Sequence, residues 1–77
     1  MIKFDKRLKI LRKKRSMNQA EFAKLLEIPQ SSLSAYETGK HLPSADRLWV
    51  IADKCNVSTD WLWGTGEVMT PSWRKLN

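Results

Sequence analysis

Between Pro29 and Gly39 the chain carries Gln30, Ser31, Ser34, Ala35 and Thr38 around two apolar positions, Leu33 and Tyr36. At helical spacing Leu33 and Tyr36 share an inward face and the other five look outward. The outward set has one chemistry in common, the edges of base pairs. A carboxamide such as Gln30 can bond adenine bidentately, the Ser31 and Ser34 hydroxyls can bond either kind of base edge, and the Ala35 methyl can pack on the thymine methyl. All but Gln30 are small, which lets the helix backbone come close to the bases. The same residues would also suit an ordinary solvated helix face, so the reading depends on what holds this helix. It has no Lys or Arg, so a bidentate guanine contact is not expected from it. Charge for phosphate contacts must come from helix N-termini, from Lys40 and His41 beyond it, and from the run of bases at 12–15, with Arg12 and Arg15 as the named candidates.

Other chemistries find little support. There is one histidine, no pair of carboxylates set by a recognisable motif, and no glycine-rich phosphate loop, so no enzyme is expected. The single cysteine, Cys55, excludes an internal disulfide, and no Cys/His cluster offers metal-ligand spacing. Neither a metal nor a cofactor is expected. Cys55 falls in an apolar stripe near a helix C-terminus, where the dipole disfavours a thiolate, and reads as packing. The longest uninterrupted apolar run, residues 48–52, is far shorter than the ~20 residues of a membrane span. Bases stand where a signal peptide would be apolar, and a reducing, cytoplasmic setting is expected.

With 77 residues the chain has room for one small domain, and its 42% apolar and 29% charged content suits a folded one. The net charge of +6 is unevenly spread. Residues 1–15 sum to +7, residues 16–66 to −2, and the remainder to +1. The cationic field is thus N-terminal, and it suits a polyanion.

Five short helices should position these residues. The first spans about 4–15, with Phe4, Leu8 and Leu11 inward and a cationic last turn that complements the helix dipole. Asn18 should cap the second, with Glu21 three residues on completing a capping box and Phe22, Ala23 and Leu26 as its buried stripe. Pro29 pushes the residue before it out of helical conformation, and the third helix, about 30–38, stops at Gly39. Ser44 should cap a fourth helix with the stripe Leu48, Ile51, Ala52 and Cys55, and Ser58 a fifth over residues 59–63. The expected architecture is all-α, with the domain in residues 1–66 and a C-terminal tail in 67–77. Its second and third helices, joined by a turn of three or four residues, have the form in which the second member enters the major groove.

The stretch Asn18-Gln19-Ala20-Glu21-Phe22-Ala23, then Ser32-Leu33-Ser34-Ala35-Tyr36-Glu37-Thr38-Gly39-Lys40, Pro43 and Val57-Ser58-Thr59-Asp60-Trp61-Leu62, resembles the phage repressor and Cro family of helix-turn-helix domains. The resemblance covers roughly residues 6–66 and implies a lambda-repressor-like five-helix fold and a transcriptional regulator, most readily a repressor. It implies that Gln19 bonds a backbone phosphate, that Gln30, Ser31, Ser34 and Ala35 face bases, and that Thr38, Lys40 and His41 follow the backbone. It also implies a structural ion pair between Arg12 and Glu37. Two departures lie in the turn. Glu27 stands where the family usually has glycine, in a place where a left-handed conformation would be costly. Pro29 stands where a capping Ser or Thr is usual, which leaves the third helix free to start one residue early.

One such domain touches one operator half-site, so a homodimer is expected, formed if need be only on DNA. Trp61, Trp63, Val68, Met69 and Trp73 are the expected interface, being more apolar mass than a short helix and tail readily hide. The competing arrangement puts Trp61 in the core. A protein-interaction module or antitoxin-like component on the same fold is the alternative function. Membrane-surface binding through the basic first helix ranks low, because Arg12 interrupts its apolar stripe.

Overall fold

A computed structural model describes residues 3–70. Five helices follow one another: α1 (Phe4–Lys14), α2 (Gln19–Leu26), α3 (Gln30–Glu37), α4 (Ala45–Cys55) and α5 (Thr59–Trp63). Helix α1 packs on α3 and α5, α2 on α3 and α4, and α4 on α5, so α3 is gripped from two sides. Among the described residues there is no strand, no helix long and apolar enough to cross a membrane, and no cluster of side chains suited to a metal ion.

The N-terminal ends of α2, α4 and α5 are set by short polar side chains. Asn18 and Glu21 form the expected capping box, with the Asn18 Oδ1 accepting from the Glu21 amide at 2.8 Å and the Glu21 carboxylate accepting from the Asn18 amide at 2.9 Å. Ser44 Oγ accepts from the Arg47 amide, and Ser58 Oγ from the amides of Asp60 and Trp61. Pro29 caps α3 in extended conformation with no side-chain bond, and α3 starts at Gln30 rather than one residue early.

The C-terminal ends of α2, α3, α4 and α5 share one device, a left-handed residue that turns the chain back so that the next amide bonds a carbonyl of the last helical turn. That residue is Glu27 (φ 59°), Gly39 (φ 79°), Asn56 (φ 59°) and Gly64 (φ 109°) in turn. After α3 the Lys40 amide donates to Ala35 and the Gly39 amide to Tyr36, the two bonds of a Schellman ending. Glu27 adopts the left-handed conformation despite its cost, and its carboxylate pairs with Lys54 Nζ on α4 at 2.5 Å. That bond holds the carboxyl below its ordinary pKa. At Gly64 the constraint is also steric, because a Cβ would stand 2.6 Å from the backbone nitrogen of Lys3.

The core gathers the expected stripes: Phe4, Leu8 and Leu11 of α1, Phe22, Ala23 and Leu26 of α2, Leu33 and Tyr36 of α3, Ile51, Ala52 and Cys55 of α4. Leu48 packs against it from its edge. Burial pushes the Cys55 thiol upward, more than nearby Arg15 draws it down, which fits a packing role. Phe4 meets Tyr36 edge to face at 5.7 Å between ring centres, tying α1 to α3.

Trp61, expected at a dimer interface, is a core residue here, only 6% exposed. Its ring is covered by the Arg7 guanidinium, 4.9 Å from the ring centre. Arg7 is itself buried. It donates through Nη1 to the carbonyl of Trp61 and, at 2.7 Å, to that of Gly66. The chain after α5 is thereby folded back on α1, and the Ser58 amide donates to the Met69 carbonyl at 2.7 Å. Trp63 and Met69 are partly buried against the core and Val68 is exposed. Trp73 lies outside the described residues.

Candidate nucleic-acid interface

The helix-turn-helix is built around α3. Leu33 and Tyr36 anchor its inner face in the core, and Glu37, at its C-terminal end, is almost fully enclosed, with a side chain 2% exposed. A carboxylate in such a place requires charge and hydrogen-bond partners. It has three: Arg12 Nε at 2.8 Å on Oε2, Arg12 Nη2 at 3.0 Å on Oε1, and Gln19 Nε2 at 3.1 Å, also on Oε1. The remaining guanidinium nitrogen of Arg12, Nη1, donates to the Met17 carbonyl at 3.1 Å. The Arg12 pKa is raised, first by its bond to Glu37. Every nitrogen of Arg12 is thus committed within the fold. The geometry supports the structural half of its expected double role, with three of its five N–H donors used inside the domain.

On the outer side, Gln30 and Ser31 are exposed in the first turn of α3, Ser34 and Ala35 are partly exposed further along, and Thr38 is exposed at its end. The Thr38 hydroxyl donates to the Ala35 carbonyl at 3.2 Å. Lys40 and His41 follow in the exposed loop, their amides both turned toward the Ala35 carbonyl. Gln19 is the first residue of α2 and is partly buried by its bond to Glu37. Arg15 stands apart from this group. Its Nη2 donates to the Cys55 carbonyl at 3.3 Å, at the C-terminal end of α4.

The N-terminal cationic field is therefore narrower than its formal charge. Two of its three arginines, Arg7 and Arg12, are spent inside the domain, and Lys3, Lys6, Lys9, Lys13, Lys14 and Arg15 are the side chains left exposed. Sequence reading counted Arg7 with the field because nothing in its neighbourhood marks it as internal. Arg47 was missed as well. It lies in the first turn of α4, and its Nη1 donates to the Tyr36 hydroxyl at 3.3 Å, bracing α3 from behind. Only its place three residues after Ser44 gave any hint, and that hint concerned its amide.

An enclosed recognition helix with a small, polar outer face, braced by a buried ion pair to the helix before the motif, defines a helix-turn-helix domain. The chain belongs to the helix-turn-helix family, whose profile matches residues 8–62. It is similar to the HTH-type transcriptional regulator ImmR of Bacillus subtilis, 43% identical over 63 residues, which are 82% of this chain and 50% of that protein. It is also similar to the antitoxin PezA of Streptococcus pneumoniae, 36% identical over 66 residues, 86% of this chain and 42% of that one. The chain thus spans about half the length of these curated relatives. Among solved structures it resembles a transcriptional regulator from Listeria innocua (TM-score 0.76, 25% identity, 99% of this chain and 72% of that one). The fold is also that of the P22 c2 repressor (TM-score 0.74, 22% identity, 82% of this chain and 96% of that one).

Proposed function

We propose that this domain binds double-stranded DNA in a sequence-specific way as part of a transcriptional regulator, with α3 in the major groove of an operator half-site. The observation that carries this reading is the division of α3 into two faces. Leu33, Tyr36 and Glu37 are locked into the fold, while Gln30 and Ser31 project freely from the first turn, where a recognition helix meets base edges. Ser34 and Ala35 extend the base-facing strip, with Gln19, Thr38, Lys40 and His41 as phosphate contacts around it. The solved P22 c2 repressor structure holds a synthetic operator, which supports the same use of this fold.

Two such domains side by side would read a two-fold operator. With Trp61 in the core, Trp63, Val68 and Met69 are the expected interface residues that keep exposed surface among the described residues. A light-scattering mass that stays monomeric both free and on DNA would remove the dimer from the proposal.

A second reading, a module that holds a protein partner, is favoured by one observation. Trp49 on α4 is 64% exposed, with Leu42 and Val50 also exposed. The similarity to an antitoxin is compatible with it.

Selection of bound duplexes from a random DNA library, at a fixed moderate salt, separates the two readings. Enrichment of a two-fold-symmetric motif is the result expected for an operator reader. Binding without any enriched motif would replace that reading with the partner-holding one.

A further inference from the structure

We infer that Glu37 is a positioning residue for DNA binding, because it fixes the orientation of the Gln19 carboxamide by holding its Nε2 end. This rests on the proposal that the domain reads DNA and that Gln19 bonds a phosphate.

A carboxamide has a donor end and an acceptor end of nearly equal shape, and a phosphate can accept a hydrogen bond but has none to give. Gln19 serves a phosphate only if its Nε2 is presented there, and a free glutamine on a helix surface has no reason to prefer that orientation. Here the choice is made by a neighbour that can only accept. The Glu37 carboxylate, paired with Arg12, takes one N–H of Gln19 Nε2 at 3.1 Å. One N–H of Nε2 is left over as a donor for a phosphate. The carboxylate is held rigidly by the two bonds from Arg12, and Arg12 Nη1 holds the Met17 carbonyl just ahead of α2. One buried unit therefore sets both the backbone leading into α2 and the side chain of its first residue. Because Glu37 belongs to α3, the phosphate contact on α2 is registered against the helix that reads the bases. This matters more than usual here, since α3 has no cation of its own to fix its depth in the groove.

Glu37→Gln nearly preserves shape but replaces an acceptor-only group with one that can donate to Gln19 Oε1, which permits the flip. The test is a double-mutant cycle on affinity for a site selected by the wild-type protein, using Glu37→Gln, Gln19→Ala and the pair, with binding-competent concentration and thermal midpoint measured for each. Glu37→Gln should weaken binding by about tenfold when Gln19 is present and by less than about twofold when it is absent. An equal loss in both backgrounds would mean that Glu37 acts only through the fold, and would overturn the inference. If Glu37→Gln does not fold, the side-chain amide of Gln19 in the wild-type protein decides by NMR. Dispersed, slowly exchanging N–H resonances support the fixed orientation, and random-coil, freely exchanging ones overturn it. Should the wild-type protein select no site at all, the failure belongs to the DNA-binding proposal and not to this one.

Discussion

Arg7 and Arg12 lie on the same helix, both largely enclosed, and they are satisfied in opposite ways. Arg12 meets a buried carboxylate and forms a charge-neutral unit with it, on the side of the domain where α2 and α3 lie. Arg7 meets two carbonyls and an indole face at the α5 end, with Glu67 at 3.8 Å as its nearest carboxylate and that side chain 84% exposed. An ion pair so open to water contributes little, so Arg7 works chiefly as a hydrogen-bonded staple. The contrast separates the two tasks of α1. At one end it positions the recognition unit, and at the other it ties down the segment leaving the domain.

The comparison is broken most severely by removing the carboxylate. Glu37→Ala leaves Arg12 without its counter-charge in a half-closed site and should cost about 3 kcal/mol, a fall of roughly 15 °C in midpoint for a domain this size. An unchanged midpoint would show that the pair is incidental. Arg7→Met should cost less, about 2 kcal/mol, because two carbonyls lose charged donors but no charge is stranded. Its signature is local, with faster hydrogen exchange at the Ser58 amide, which bonds Met69.

Lysine substitutions sharpen the contrast. Glu37 receives two prongs of a planar fork that an ammonium cannot supply, whereas separate carbonyls can be served by one. Arg12→Lys should therefore cost about 2 kcal/mol and Arg7→Lys about half that; equal costs would say that both sites need only a cation.

The smallest effect concerns the surface pair of Glu27 and Lys54, a control for both enclosed sites. Its carboxyl has a lowered pKa in the folded chain, so the pair's contribution is present above the ordinary carboxylate range and lost as pH falls through the lowered value. The stability difference between wild type and Lys54→Met should be small at pH 7 and vanish in acid. Glu27→Gly trades that pair for relief of a left-handed backbone, and a raised midpoint would show that the backbone outweighs the pair.

Much of this was legible in the sequence where the signal is local. Asn18 with Glu21, Ser44 and Ser58 mark helix starts because a side chain and an amide two or three residues apart are all the geometry they require. The Arg12–Glu37 pair was legible through resemblance, since spacing alone does not join residues 25 apart. Arg7 was not legible, because its partners are backbone carbonyls brought to it by the fold, and carbonyls leave no mark in a sequence. The choice between core and interface for Trp61 was not legible for a related reason. Trp61 enters the core because Arg7 and the chain after α5 close over it. Trp49, the exposed one, had a sequence signal that went unused, since it falls outside the stripe of Leu48, Ile51, Ala52 and Cys55.

The account rests on Gln30 reading a base from the first turn of α3. The most direct measurement is the affinity of wild type and Gln30→Ala for a selected operator and for its single-base variants at constant salt. The account predicts that Gln30→Ala loses roughly tenfold on the selected site, loses its preference at one base pair per half-site, and keeps the wild-type salt dependence. An unchanged preference at every position would contradict it and move the recognition surface off this face of α3.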